Sequence, residues 1–172
     1  PYVVHAVSGY SGGGKALIAR FEEDQSIAWR GYGLAMGHKH VAEMQMHSGI
    51  THAPVFAPAV IPAHRGMAVE VPLSRAADGR IASADEILSA LTAHYAGSPL
   101  VSVDTSAPDG ELLIRQGCEP TDRLDLRVFA SADGSQMRLV ALLDNLGKGA
   151  SGACVQNLNI MAGFNETDGL RL

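Results

Sequence analysis

Two histidines and a glutamate stand close together in the segment Gly37–Glu43, which reads Gly-His-Lys-His-Val-Ala-Glu. On an extended backbone His38 and His40 would share one face, because side chains alternate along a strand. If a helix begins near His40, then His40, Glu43 and His47 share a helical face instead. Either geometry suits a histidine that transfers protons beside a carboxylate that orients it. The alternative is a polar start to an ordinary helix, with both histidines exposed.

A glycine-rich loop, Ser8–Lys15, precedes this segment and holds four glycines and two serines in eight residues. Lys15 ends the loop where we predict a helix over Ala16–Phe21. Backbone amides at a helix start, together with an ammonium group, suit a phosphate or a carboxylate. The loop does not have the spacing of a P-loop or of a dinucleotide fingerprint, so a flexible turn is the alternative.

Arg65 lies in the apolar turn Pro62–Gly66. A guanidinium there could hold a substrate carboxylate with two hydrogen bonds, although a plain surface arginine is the alternative. The two cysteines, Cys118 and Cys154, read as small core residues. Glu119 works against ionisation of the neighbouring Cys118, and a nucleophilic cysteine must be a thiolate.

A metal site is a further alternative, because histidine and glutamate are ligand types of zinc and iron. The residues concerned are His38, His40, Glu43 and His47. They do not form a His-Glu-x-x-His motif, and no cysteine pair accompanies them. We expect no metal in this chain.

The elements that must position these residues are mostly strands. Apolar and alternating segments predict strands over Tyr2–Val7, Ala53–Ile61, Met67–Leu73, Leu100–Val103, Leu112–Gln116, Leu124–Ala130 and Gln136–Leu143. Prolines in and beside Ala53–Ile61 indicate that this segment is an edge or irregular strand. Turns are predicted at Asp78-Gly79, Pro108–Gly110 and Asp133-Gly134.

Helices are predicted over Val41–Ser48, after a capping box formed by Ser83 and Glu86, and at the end of the chain up to about Ala162, where Gly163 stops the last one. Strands outnumber helices and adjoin through hairpins. The pattern therefore indicates an α+β fold with a mixed, mostly antiparallel sheet and helices on one face.

Composition excludes several classes of protein. A chain of 172 residues and 18.0 kDa fits one domain. A formal charge of −5 and a pI near 5.7 argue against nucleic-acid and anionic-membrane partners. Two cysteines do not make a disulfide framework, so we expect a reducing, cytoplasmic setting. Because the chain begins at Pro1 and enters a strand at once, we read Pro1 as an internal position of a longer polypeptide.

Four motifs occur in order along the whole chain, and together they resemble the N-acetyl-gamma-glutamyl-phosphate reductase family in its shorter subtype. The motifs are Ser8–Lys15, Gly37–Glu43, Pro62–Gly66 and Leu143–Gly152. The resemblance implies an NADPH-dependent reduction of N-acetyl-gamma-glutamyl phosphate to N-acetylglutamate semialdehyde in arginine biosynthesis. In that family a cysteine of a Pro-Gly-Cys motif attacks the acyl phosphate and expels phosphate. NADPH then reduces the thioester, and a histidine supplies the proton that lets the aldehyde leave.

The resemblance also assigns roles residue by residue. His38 matches the catalytic histidine. The residues implied in substrate binding are Ser8, Ser11, Lys15, His40, Glu43 and Arg65, and those implied at the nicotinamide end of NADP are Gly12, Asn145 and Gly149.

The family fold is a Rossmann domain followed by a domain similar to the C-terminal domains of glyceraldehyde-3-phosphate and aspartate-semialdehyde dehydrogenases. We expect residues 1–148 to form the catalytic and dimerisation domain, and 149–172 to pack against an NADP-binding domain outside this chain. The nucleophilic cysteine is also expected outside this chain. The resemblance also implies a homo-oligomer, a dimer or a tetramer, and a chain that is inactive by itself. A metal-binding enzyme and a non-catalytic oligomerisation module remain the other hypotheses.

Overall fold

A seven-stranded sheet forms the body of the computed structural model, which describes residues 2–75 and 81–172. The predicted turn at Asp78-Gly79 lies outside the described residues. The strands are β1 (Val3–Gly9), β2 (Arg30–Gly31), β3 (Val55–Ile61), β4 (Met67–Ser74), β5 (Val101–Asp104), β6 (Leu124–Ala130) and β7 (Gln136–Leu143). Their order across the sheet is β2-β3-β1-β4-β7-β6-β5.

Antiparallel pairing dominates this sheet. The pairs β1–β4, β2–β3, β4–β7 and β6–β7 are antiparallel, whereas β1–β3 and β5–β6 are parallel. β6 and β7 form the hairpin predicted around Asp133-Gly134, with Leu124 opposite Leu143. The mixed, mostly antiparallel α+β class is therefore confirmed.

Strand β1 shows how the sheet is made from the sequence. Val4, Ala6 and Ser8 are buried, and they alternate with the less buried Val3, His5 and Val7. β3 pairs with β1 along its whole length but meets only the two residues of β2 on its other side. It is thus next to the edge, in keeping with its prolines, which have no N–H to donate.

Strand β4 lies in the middle of the sheet, yet none of its eight residues is buried. The central strand of a sheet covered on both faces is normally its most buried one. The buried apolar side chains lie elsewhere, among them Val60, Leu100, Val128, Met137 and Val140. Strand β4 is consequently only partly covered in the single chain.

The helices are α1 (Gly14–Glu23), α2 (Lys39–Ser48), α3 (Ala84–His94) and α4 (Gly152–Ala162). α2 begins two residues before the predicted start, because His38 caps it. The predicted capping box of Ser83 and Glu86 is present at α3, and Gly163 ends α4 with a φ of 74°. In the described parts of the chain, no helix is both long and apolar enough to cross a membrane.

The predicted strand Leu112–Gln116 is wrong, because this segment is irregular. Its apolar residues do not share one sheet face. Ile114 packs against Gly66, where an added Cβ would lie 2.7 Å from Ile114 Cγ2. Leu113, in contrast, is 58% exposed.

Candidate functional site

A cleft of about 650 Å³ opens between the end of β1, the start of α1 and the start of α2. We call it the His38 cleft and define it by Ser8, Gly12, Arg30, Tyr32, His38 and Asn145, which line it. Six of the ten site residues named from the sequence line this cleft: Ser8, Gly12, His38, His40, Asn145 and Gly149. The other four, Ser11, Lys15, Glu43 and Arg65, do not line it.

His38 is half-buried and is fixed from two directions. It is the N-cap of α2, and its Nδ1 accepts a hydrogen bond from the backbone N–H of His40 at 3.2 Å. Its ring meets those of Tyr32, His40 and Phe56, with centroid separations of 5.6, 4.7 and 5.0 Å. A ring held in this way has few orientations open to it.

Burial lowers the pKa of His38 below its ordinary value of 6.5. The neighbouring His40 and Lys39 lower this pKa further, because their positive charges disfavour a second cation, whereas Glu43 acts in the opposite direction. His38 therefore faces the cleft mainly as a neutral imidazole at neutral pH.

His40 and Glu43 lie one helical turn apart on α2, so the helical geometry holds for them. Their Nε2 and Oε2 atoms are 3.8 Å apart, and both side chains are largely exposed. An exposed pair of this kind contributes little stability. His40 lines the cleft, whereas Glu43 lies outside it.

The glycine-rich loop forms a short 3-10 turn, Tyr10–Gly13, before α1. Ser11 is buried and donates to the carbonyl of His64, and it accepts from Asn145 Nδ2 at 2.9 Å. Its hydroxyl therefore holds the loop in place. Lys15, in contrast, is exposed on α1.

Asn145 joins two parts of the cleft wall. Its Nδ2 donates to Ser11, and its Oδ1 accepts from the backbone N–H of Gly66 at 2.9 Å. Backbone bonds complete the junction, since the N–H of Gly9 donates to the Gly66 carbonyl at 2.8 Å. The glycine-rich loop and the Pro62–Gly66 turn are thus held as one unit.

Arg65 lies behind the cleft wall. Its Nη1 is 2.9 Å from Oδ2 of Asp144, a carboxylate of which only 2% is exposed. Asp144 also accepts from the backbone N–H of Leu146 at 2.9 Å. This buried pair ties the Pro62–Gly66 turn to the end of β7.

The sequence analysis did not name three cations that line the cleft, Arg20, Arg30 and Lys39. The Arg30 guanidinium lies over the Tyr32 ring, 4.9 Å from its centroid. The spacing Arg30-x-Tyr32 was the available signal, because alternation puts both side chains on one face of an extended segment. The cleft therefore has the charges to hold an anion.

Glycines in the last motif have the spacing Gly147-x-Gly149-x-x-Gly152, which also begins a helix after a strand. At two of these glycines, other atoms of the chain occupy the space that a side chain would need. An added Cβ would lie 2.0 Å from the Thr121 carbonyl oxygen at Gly147, and 1.9 Å from Asp122 Oδ1 at Gly152. Only Gly149 lines the cleft, so the spacing serves internal packing and does not form a diphosphate cradle.

Gly12, Asn145 and Gly149, the residues that the resemblance assigns to the nicotinamide cofactor, line the same cleft. Gly12 and Gly149 present backbone there, and Asn145 has an amide beside it. An added Cβ at Gly12 would fill space 3.3 Å from Ser8 Oγ and 3.4 Å from Asn145 Nδ2. Within residues 2–75 and 81–172, no group of three or more metal-ligating side chains stands together.

Comparison with known proteins gives one family and two sets of relatives. Residues 1–145 match the family model of the semialdehyde dehydrogenase dimerisation domain. An N-acetyl-gamma-glutamyl-phosphate reductase of Rhizobium etli (strain CIAT 652) is 47% identical over 169 residues, which are 94% of this chain and 54% of that protein. One of Trichormus variabilis is 44% identical over 183 residues, covering 99% of this chain and 57% of that protein.

The solved structure of aspartate semialdehyde dehydrogenase II of Vibrio cholerae has the same fold. Its TM-score is 0.61 at 17% identity, over 93% of this chain and 54% of that one. The complex of this enzyme with ASA gives 0.58 at 16% identity, with the same coverage. The chain spans about half the length of the curated relatives it matches.

Proposed function

Because this chain belongs to the semialdehyde dehydrogenase dimerisation-domain family, we propose that it supplies the proton-holding and anion-binding half of an N-acetyl-gamma-glutamyl-phosphate reductase. The reaction is the NADPH-dependent reduction of an acyl phosphate to N-acetylglutamate semialdehyde in arginine biosynthesis. One observation carries the proposal: six of the ten residues assigned by family resemblance line a single cleft around His38. The names of the relatives support the substrate.

The substrate is an anion, and the cleft is lined to receive one. An acyl phosphate with a free carboxylate carries negative charge at both ends. Arg20, Arg30 and Lys39 line the cleft, and in the described residues none of the three has an ion-pair partner. We infer that these cations and the amides near Gly12 hold the phosphate and carboxylate groups. The resemblance also assigns Lys15 and Arg65 to substrate binding, but both lie outside the cleft, so their positions do not support this role.

His38 has the position of the proton-handling residue. Conversion of the acyl phosphate to the aldehyde and inorganic phosphate takes up one hydride and one proton. A bound nicotinamide cofactor supplies the hydride, and NADP is the form we propose. His38 holds a proton at a ring nitrogen in the cleft, and the exposed His40–Glu43 pair lies next to it on α2.

The nucleophile comes from outside these 172 residues. Neither Cys118 nor Cys154 lines the His38 cleft. Cys118 Sγ instead donates to the carbonyl of Arg65 at 3.5 Å, and Cys154 is exposed on α4. We therefore propose that the attacking cysteine and the cofactor-binding domain belong to the remainder of a longer protein, and that this chain has no activity alone.

The last segment, 149–172, supports that arrangement. Leu158, Ile160, Met161 and Phe164 are between 57% and 85% exposed on or after α4. Large apolar side chains that face water together mark a surface that packs against another part of a protein. We propose that the cofactor-binding domain covers this segment, whereas residues 1–148 form the catalytic and dimerisation domain.

A second copy of the chain is the proposed partner of the sheet. The unburied central strand β4 supports burial of that region between subunits, as does the family's description as a dimerisation domain. We propose a homo-oligomer, a dimer or a tetramer, in the cytoplasm, where two free cysteines persist. Light scattering after gel filtration measures the mass, and a monomer at micromolar concentration contradicts this part.

The decisive experiment is turnover of the full-length protein and of its His38→Asn variant, followed by NADPH absorbance. We expect kcat to fall by about 10²–10⁴-fold in the variant, the usual contribution of a positioned acid or base. His47→Asn, at the far end of α2, is the matched control and should leave kcat unchanged. An active His38→Asn protein would mean that the cluster is incidental and favour the oligomerisation module. Cysteine-dependent turnover by the 172-residue chain would overturn the assignment of the nucleophile.

A further inference from the structure

We propose that His38 presents a neutral imidazole with its proton on Nε2 to the cleft, and that the backbone N–H of His40 fixes this tautomer by occupying Nδ1. The inference deepens the proposed function and rests on it for the consequence in catalysis. It concerns the chemical form of the histidine, which can be measured without turnover. Its structural basis is the start of helix α2.

The cap contact decides which nitrogen carries the proton. The backbone N–H of His40 is a donor, so its partner must be a lone pair, and the atom it reaches is Nδ1 at 3.2 Å. A neutral imidazole has one N–H and one lone pair. With the lone pair at Nδ1, the proton of the neutral ring is on Nε2.

Helix geometry also opposes the charged form. Protonation of Nδ1 would replace an acceptor by a second donor opposite the N–H of His40, and the cap would be lost. The positive end of the helix dipole lies at the same place and disfavours an imidazolium. The charged groups around the ring are Lys39 and His40, which disfavour a positive charge, and Glu43, which favours it. The aromatic rings against His38 are those of Tyr32 and Phe56.

The consequence for the reaction is a hydrogen-bond donor rather than a strong acid. An Nε2–H group can stabilise negative charge that develops on the carbonyl oxygen as hydride arrives. It is ready at neutral pH without prior protonation. The cap at Nδ1 also prevents the ring from turning, so the donor keeps its direction.

The test is the tautomer itself, read from long-range nitrogen-15 correlation spectra of this chain labelled at histidine. His38→Asn assigns the signals by their disappearance. We expect the pattern of an Nε2–H tautomer for His38 at neutral pH, and a His38 pKa below its ordinary value of 6.5. An Nδ1–H tautomer, or a His38 pKa at or above 6.5, overturns the inference.

Two variants separate the cap from the surrounding charges. His40→Ala keeps the backbone N–H and removes one neighbouring ionisable ring, so we expect the same tautomer with a higher pKa. His40→Pro removes the same ring and also the backbone N–H, within the first turn, where proline is tolerated, so relative to His40→Ala it should release the tautomer preference. A change of tautomer in His40→Ala would contradict the role of the backbone N–H. If the tautomer holds but His38→Asn keeps full activity in the full-length protein, the proposed function fails and the assigned ring state stands.

Discussion

The buried pair of Arg65 and Asp144 gives the sharpest stability prediction, because one mutation removes the acceptor of several buried hydrogen bonds. Asp144→Ala removes the acceptor of the Arg65 guanidinium, at 2.9 Å, and of the Leu146 N–H, also at 2.9 Å. Only 2% of the Asp144 side chain and 21% of the Arg65 side chain are exposed, so water replaces the lost contacts poorly. Breaking a buried pair costs about 3–5 kcal/mol, and partial exposure of Arg65 points to the lower end, about 3 kcal/mol.

Urea unfolding followed by far-UV circular dichroism measures this cost. With an m-value of about 2 kcal/mol/M, a loss of about 3 kcal/mol lowers the midpoint by about 1.5 M. Arg138→Ala is the matched control, because Arg138 pairs with Glu70 at 2.6 Å but is 59% exposed. An exposed pair contributes at most about 1 kcal/mol, so the control should shift little. If Asp144→Ala costs no more than Arg138→Ala, the reasoning from burial is wrong.

Three further predictions follow from single contacts. Gly9→Ala should lower the free energy of unfolding in urea by about 1–3 kcal/mol, because its Cβ would lie 2.8 Å from two carbonyl oxygens. Gly12→Ala is the control and should lower it clearly less, since its Cβ would lie 3.3 Å from the nearest atom. Equal losses would refute the steric argument. Ser131 and Ser135 lower the pKa of Asp133 from 3.8 to about 2, so the hairpin stabilisation is complete above pH 3.8 and is lost as the pH falls toward 2. Asp133→Asn should therefore remove this pH dependence of the urea midpoint, and an unchanged dependence would contradict it. The pKa of His38 is lowered from 6.5, so its contribution to the free energy of unfolding is complete above pH 6.5 and is lost as the pH falls through the folded-state pKa. Wild type should therefore lose stability relative to His38→Asn on acidification. A gain in stability relative to His38→Asn would refute the sign.

Local signals in the sequence were enough for most elements of the fold. The alternation of β1, the hairpin of β6 and β7, and the capping box at Ser83 are each decided by neighbours within a few residues. Leu112–Gln116 failed because an apolar run has no local mark that separates a strand from a loop covering Gly66. Long-range packing decided that case.

The residue types of the site could be predicted from the sequence, but the contacts between those residues could not. Motif resemblance named His38 and Asn145, and both line the cleft. It did not indicate that Arg65 would pair with Asp144, since its partner is 79 positions away in the sequence. The cleft arginine Arg30 was missed because a strand of two residues offers no periodic signal beyond the spacing Arg30-x-Tyr32.

The order of the strands has a consequence for how the chain folds during synthesis. Central strand β4 pairs with β1 and β7, which lie more than fifty residues away in opposite directions along the chain. Its second edge thus stays unpaired until β7 has left the ribosome. Such distant pairing is slow, and an unpaired apolar edge invites association with other chains. We expect nascent chains that stop before Gln136 to aggregate and to need a chaperone, whereas chains that extend past Leu143 close the sheet.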